Sequence, residues 1–368
     1  MTIRIGIDIH TIGARQTGNE TYITNLIEAM VKAKPPDLEF VLYHTHEADI
    51  PDWPAKLRRV RPQNPIMRIP ISFPLALLKD RIDVAHFQYV IPPISPCPTI
   101  ATIHDISYEF YPKFFKPLSR LRMCTLIPMA ARRSRYVLTV SQFSKNEIIK
   151  KYGIPEDKVI VTYNGVADRF RCITSKETLL KETARFKLNH PFILSVGTLN
   201  PRKNLPLLIK AYANLRKRGK IDQDLVLAGP ESYKARQVFQ EIKTQGVDKA
   251  VRAIGHVSDR ELVALYNRAD FFVYPSIYEG FGLPVVEAMA CGTPVITSNC
   301  SSLPEVAGGA AVLIDPRSKS EMENAMSSLA ADTDLRATLT KQGKKRAKHF
   351  TWDKTAEATL SAYFRALD

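Results

Sequence analysis

Nothing in this chain is long and apolar enough to span a bilayer: no run approaches the roughly 18 consecutive apolar residues of a transmembrane helix. The opening residues, MTIRIGIDIH, carry neither the apolar region nor the cleavage site of a secretory signal, so a cytoplasmic location is expected. Cysteine is sparse. Cys97, Cys124, Cys172, Cys291 and Cys300 form an odd, scattered set without a CxxC pair, which excludes a disulfide framework and a cysteine-ligated zinc site. Low-complexity tracts are missing too, and 45% hydrophobic with 24% charged residues is the composition of a soluble globular protein. Neither of the glycine-containing loops spells GxGxxG, which argues against a dinucleotide-dependent dehydrogenase.

Acidic residues are absent from Phe110 to Asn146, where Lys113, Lys116, Arg120, Arg122, Arg132, Arg133, Arg135 and Lys145 interleave with Phe114, Phe115, Leu118, Leu121, Met123, Leu126, Ile127 and Met129. Such a basic segment with an apolar face suits peripheral docking on the anionic inner face of a membrane through residues 110–135, and equally an ordinary amphipathic helix with a solvated basic side. The net charge of +15 asks for an anionic partner. Residues 1–170 hold 23 Lys and Arg against 16 Asp and Glu, and the remainder 29 against 21, so the excess is shared by both halves. With no recognised DNA- or RNA-binding signature, a basic nucleic-acid-binding module is the weaker alternative, and no nucleic-acid partner is expected.

At 368 residues the chain exceeds what one core usually organises, and two domains are expected. IRIGIDI reads as a strand, a loop with Gly13 and Gly18 follows, and TYITNLIEAMVKA reads as a helix. Further strands are expected at Glu39–Tyr43, Val84–Gln88, Thr99–Ile103, Tyr136–Val140 and in KVIVTY, before the turn pair Asn164-Gly165. The pattern restarts at PFILSVG and continues through Leu225–Ala228, Ala250–Ile254, Phe271–Tyr274, Thr293–Thr297 and Ala311–Ile314, with Thr351–Leu367 as a closing helix. Two successive βα series imply two doubly wound Rossmann-like α/β domains, whose ligands bind outside the carboxyl ends of the strands.

One stretch poses a chemical problem. In YEGFGLPVVEAMACGTPVI, Glu279 and Glu287 sit in otherwise core-like sequence, and ionised carboxylates are rarely buried without a partner. Phe271–Tyr274 is a strand, EGFGLP a loop, and Pro284 suits the first turn of a helix stopped by Gly292. Glu279 then lies on the loop and Glu287 about one turn into the helix. The glycines admit close backbone approach and the helix start favours phosphate oxygens, so a diphosphate fits between two carboxylates able to accept from sugar hydroxyls. The bland alternative has Glu287 complementing the helix dipole and Glu279 solvated.

This stretch resembles the EX7E signature of the retaining family 4 glycosyltransferases (glycosyl transferases group 1), which have the GT-B fold. The likeness extends in order through TGNETY, IHD at Ile103–Asp105, VSQFSK, YNGV, VGTLNPRKN, LAGP, GHVSDRELVALYNRADFFVYPS and SSLPEVAGGAAVLIDP, nearly the whole chain. The resemblance implies an N-terminal, acceptor-side domain over residues 1–170, a donor-side domain over 171–350, and a C-terminal helix over 351–368 returning to the first. It implies that Glu287 binds ribose hydroxyls and Glu279 the donor hexose. Gly280, Phe281, Gly282 and Leu283 would line sugar and diphosphate with backbone amides, with Lys203 and Arg202 neutralising phosphate. His104 would face the donor sugar, Gly18 the phosphates, and His256 and Val257 the nucleobase. Two positions depart from the family pattern: Thr198 stands where an arginine is common, and Glu20 where many relatives have a second glycine.

The implied reaction is a retaining transfer of a hexose from a nucleoside-diphosphate sugar to a glycan or lipid-linked saccharide in polysaccharide biosynthesis. UDP-glucose is the first expectation for the donor and GDP-mannose the second. No carboxylate is an obvious nucleophile of the kind used by retaining glycosidases, and a front-face mechanism is implied, with charge at His104, Glu279, Arg202 and Lys203 around the reacting centre. No resident cofactor and no metal are expected. Asp222-Gln223-Asp224 spells a metal-binding DxD, yet it lies between RKRGK and a strand, where a solvated turn is expected. A nucleotide-sugar epimerase on the same fold is the alternative enzyme.

Overall fold

The computed structural model describes residues 2–13, 17–33, 35, 37–45, 50–232 and 234–368. Two compact units divide the chain: Met1–Gly165 with Thr351–Asp368, and Val166–Phe350. The change of unit thus falls at Gly165, ahead of the residue 170 anticipated from the sequence.

The first unit is built on a parallel sheet of β1 (Ile3–Asp8), β2 (Leu38–His44), β3 (Lys56–Arg59), β4 (Val84–Gln88), β5 (Thr99–Thr102), β6 (Tyr136–Thr139) and β7 (Val159–Val161), in the order β3-β2-β1-β4-β5-β6-β7. Because helices cover both faces, the central strands read as unbroken buried runs; every residue of VAHFQ in β4 is buried. β3, with the sequence KLRR, was not foreseen. It carries charge on an edge strand, where charge discourages pairing with another chain but hides the strand from a hydrophobicity pattern. The closing helix Trp352–Arg365 packs on helix Thr17–Ala33. Its buried Tyr363 hydroxyl lies 2.7 Å from His86 Nδ1, and His86 Nε2 lies 2.7 Å from Thr102 Oγ1, so one histidine ties this helix to two strands.

The second unit repeats the scheme with β8 (Phe192–Val196), β9 (Asp224–Ala228), β10 (Val251–Gly255), β11 (Phe271–Tyr274), β12 (Val295–Ser298) and β13 (Val312–Ile314), again all parallel, in the order β10-β9-β8-β11-β12-β13. The order reverses between β8 and β11, the place where loops leave the strand ends in opposite directions and open a crevice. Close packing at this edge fixes one glycine: a Cβ on Gly229 would lie 2.2 Å from the Gly197 carbonyl oxygen, so the loops after β8 and β9 touch backbone to backbone.

The basic segment 110–135 forms a 3-10 turn, Pro112–Phe114, and helix Pro117–Arg133. Ile127, Ala130 and Ala131 pack inward, while Leu118 and Leu121 are 72% and 64% exposed. Among the described residues no helix is long and apolar enough to cross a membrane.

Candidate active site

Tyr274 ends β11, Pro275 and Ser276 leave the sheet, and the chain reaches helix Leu283–Ala290 through Gly282, whose φ of 105° suits only glycine. A Cβ there would also meet Leu303 at 2.7 Å. The loop between is pinned from the next crossover: the Glu279 amide donates to Ser301 Oγ (3.1 Å), and the buried Ser302 hydroxyl approaches the carbonyls of Glu279 and Phe281 at 2.9 Å each. Phe281 turns its ring edge-on to Phe350, with the ring centroids 5.3 Å apart.

Glu279 is only 7% exposed, and two cations answer it. Lys203 Nζ donates to Oε1 at 2.7 Å and Arg202 Nη1 to Oε2 at 2.6 Å. Both cations sit in the 3-10 turn Pro201–Lys203 after β8, where the Asn200 side chain caps the turn by accepting from the Lys203 amide. Lys203 also donates to the Tyr274 hydroxyl, and Arg202 to the Tyr278 carbonyl at 2.6 Å. Burial by itself would raise the Glu279 pKa; the Arg202 and Lys203 charges more than offset that and hold it down at about 2. Two cations against one carboxylate leave a net positive charge at the switch point of the sheet.

Glu287 is in the opposite state. It is 8% exposed inside helix Leu283–Ala290 and, among the described residues, has no cation in contact and accepts one hydrogen bond, from Tyr266 Oη to Oε2 at 3.1 Å. Oε1 has no hydrogen-bond partner among the described residues. Burial pushes its pKa up to about 7, against the pull of the Tyr266 hydroxyl. One glutamate is therefore a fixed anion, the other is poised between acid and carboxylate near neutrality.

The remaining residues singled out by the sequence divide between the units. Thr198 is half-buried in the loop after β8, beside the cationic turn, and its carbonyl accepts from the Asn200 amide at 2.7 Å. His256 and Val257 follow β10; the His256 carbonyl accepts from Arg185 at 3.1 Å, and the same guanidinium pairs with Glu261, the residue that closes a capping box with Ser258. In the first unit His104 follows β5, buried, with Nε2 3.1 Å from Gln88 Oε1 and its ring 4.6 Å from Tyr22. Burial depresses its pKa to about 4, so it is a neutral imidazole. Gly18 lies in the first turn of helix Thr17–Ala33, and among the described residues nothing comes within 4 Å of a Cβ placed there. Glu20 folds back to accept from the Gly13 amide at 2.8 Å.

Arg202 and Lys203, expected on phosphates, thus both bind Glu279, expected on the hexose. Tyr266, Tyr274, Gln88 and Arg185 were not singled out beforehand, although LYNRADFFVYPS contains both tyrosines. The missed signal was a buried tyrosine's need for a polar partner. The Asp222-Gln223-Asp224 triplet lies at the opposite, amino end of β9, where the Asp222 carbonyl accepts from Arg216 and the Gln223 amide bonds Asp270 at 2.9 Å.

Comparison with known proteins bears on this arrangement. The sequence profile "Glycosyl transferases group 1" matches residues 177–346, and "Glycosyltransferase Family 4" matches residues 17–170. O-antigen chain mannosyltransferase B of Escherichia coli is 34% identical over 266 residues, 72% of this chain and 69% of that protein. The chain belongs to the family 4 glycosyltransferases. O-antigen chain mannosyltransferase RfbU of Salmonella typhimurium is 32% identical over 228 residues, covering 62% of this chain and 60% of that protein. The sucrose-phosphate synthase from Thermosynechococcus elongatus superposes with a TM-score of 0.81 at 20% identity, over 99% of this chain and 98% of that one. This glycosyltransferase accordingly has the two Rossmann-like units of the GT-B fold.

Proposed function

We propose that this glycosyltransferase moves a mannosyl residue from GDP-mannose to a growing glycan or lipid-linked saccharide in polysaccharide biosynthesis, with retention at the anomeric carbon. The observation that carries the reading is the pair of glutamates flanking the loop Gly280–Leu283: one anion tied to two cations, the other with a free acceptor oxygen. Glu287 Oε1 suits a ribose hydroxyl, Glu279 the hydroxyls of the hexose, and the net positive turn at Arg202 and Lys203 the diphosphate between them. Mannose is favoured because the two sequence relatives reported above, of Escherichia coli and Salmonella typhimurium, are mannosyltransferases, which puts GDP-mannose ahead of UDP-glucose and reverses the order anticipated from the sequence.

Glu279 is engaged by two cations and is a poor nucleophile in that state, which favours a front-face reaction over a double displacement. The bond from the anomeric carbon to the phosphate oxygen breaks, the acceptor oxygen bonds to that carbon on the same face, and the acceptor proton passes to the departing phosphate. Charge on the leaving diphosphate grows as the bond breaks, and cations held in advance at Arg202 and Lys203 stabilise it without a metal. Calorimetry with GDP, UDP, ADP and their hexose derivatives tests the reading: GDP-mannose binding and mannosyl transfer undiminished in EDTA are expected. Binding of UDP-glucose in preference would replace the donor, and binding of none would sink the transferase site.

The acceptor's lipid, on the same reading, meets the protein at residues 110–135, where exposed Leu118 and Leu121 accompany Lys113, Lys116, Arg120 and Arg122 on an acid-free segment. Anionic vesicles at low salt should retain the protein and neutral vesicles should not; equal retention would remove this contact.

A further inference from the structure

We propose that Tyr266 is a positioning residue of the donor site: its buried hydroxyl occupies one oxygen of Glu287 and leaves Oε1 as the single acceptor presented to a ligand hydroxyl. The proposal rests on the reading of Glu287 as the ribose-binding carboxylate. A carboxylate with both oxygens free can rotate and share its lone pairs among several geometries. One whose Oε2 is held at 3.1 Å by an immobile donor cannot.

The donor is immobile for reasons visible around it. Tyr266 is completely buried on helix Asp259–Arg268, whose start is fixed by the Ser258–Glu261 capping box. Its ring meets Phe272 edge-on at 5.4 Å and Phe170 at 6.1 Å, and its carbonyl accepts from Thr293 Oγ1 at 2.7 Å, which ties it to the segment just beyond the glutamate's own helix. The hydroxyl has one hydrogen-bond partner among the described residues, and that partner is Glu287.

The charges facing Glu287 leave the tyrosine little competition. Asp259 from the same helix as Tyr266 opposes ionisation of Glu287, Arg169 from the preceding segment favours it, and these two pair with each other at 3.0 Å. The thiol of Cys291 is itself pushed up by burial and by Glu287, so it stays protonated, and Tyr274 beyond Tyr266 is likewise held neutral by burial. After burial, the largest influence on Glu287 is the Tyr266 hydroxyl, which favours the carboxylate. Without it the glutamate holds its proton to higher pH and accepts hydroxyls poorly at neutrality.

Tyr266→Phe and Glu287→Gln, beside the wild type, decide the matter by calorimetry with GDP-mannose, and with UDP-glucose in parallel, from pH 6 to pH 8.5. Neither donor carries a phosphate that titrates in that range. Tyr266→Phe should bind roughly five- to tenfold more weakly at pH 7, about the value of one hydrogen bond. Its affinity should recover towards the wild type as pH rises, with the midpoint displaced upward, whereas Glu287→Gln should bind weakly with a flat profile. A loss of affinity from disturbed packing alone would leave the midpoint in place and overturn the proposal, as would unchanged binding by Tyr266→Phe. Weak binding by Glu287→Gln beside normal binding by Tyr266→Phe defeats the tyrosine's role only. Normal binding by both, or no binding of either donor by the wild type, defeats the ribose reading as well.

Discussion

Lys203→Ala is expected to slow turnover by roughly 10²- to 10³-fold, the scale seen when one preorganised electrostatic donor is removed from a transition state. Lys203 is 9% exposed, its Nζ lies 2.7 Å from Glu279 Oε1, and Asn200 fixes its backbone. The charge is therefore set in place before any ligand arrives and needs no reorganisation as the phosphate departs. Removing it abolishes the net positive charge of the turn, leaving Arg202 alone against Glu279. The pKa of Glu279, held at about 2 by both cations, should rise in the variant. Single-turnover transfer assays at saturating donor measure the effect. Since Arg202 and the helix start remain, the loss should fall more on the chemical step than on nucleotide affinity; a variant that binds donor tenfold more weakly yet transfers at the normal rate would show that Lys203 serves binding only.

Part of this site was legible in the chain and part was not, for identifiable reasons. The strands β4 and β11 coincide with their expected spans because both faces of each are covered, and a buried parallel strand announces itself as a short apolar run. The position of Glu279 on a loop and Glu287 within the following helix came from Pro284 and the glycines, which carry turn and cap signals of their own. The pairing of Glu279 with Arg202 and Lys203 did not, because it joins loops after two different strands, and sequence order gives no distances across a sheet edge. Tyr266 and Tyr274 were hidden among core aromatics, whose one polar atom matters only when its neighbour is known. Glu20 stands where many relatives have a second glycine, and its carboxylate accepts from the Gly13 amide at 2.8 Å, a pairing that sequence order alone does not show.

Donor affinity should climb with pH across neutrality, and Glu287 should be responsible. With a folded pKa of about 7, the fraction of carboxylate rises about tenfold between pH 6 and pH 8, and a ribose hydroxyl needs the carboxylate as acceptor. The affinity for a nucleotide sugar should change by that factor, with one proton released on binding at low pH. The two glutamates also pull the stability of the unliganded protein in opposite senses. Glu287, raised from the ordinary glutamate value of 4.5, contributes stability that is full below 4.5 and lost as pH rises through about 7. Glu279, lowered, contributes stability that is present above 4.5 and lost as pH falls towards 2. Thermal melts of Glu287→Gln should lose the decline between pH 5 and pH 8 while keeping the acid limb; a wild-type melting curve flat over that interval would contradict the assignment.

The central claim is that two carboxylates grip opposite ends of one donor. Its most direct measurement is a pair of assays on Glu279→Ala and Glu287→Ala: equilibrium affinity for GDP, and the rate of mannosyl transfer at saturating GDP-mannose. Glu287→Ala should weaken GDP binding, whereas Glu279→Ala should hold GDP nearly as well as the wild type and transfer the sugar far more slowly. Loss of GDP affinity in Glu279→Ala with normal affinity in Glu287→Ala would contradict the account.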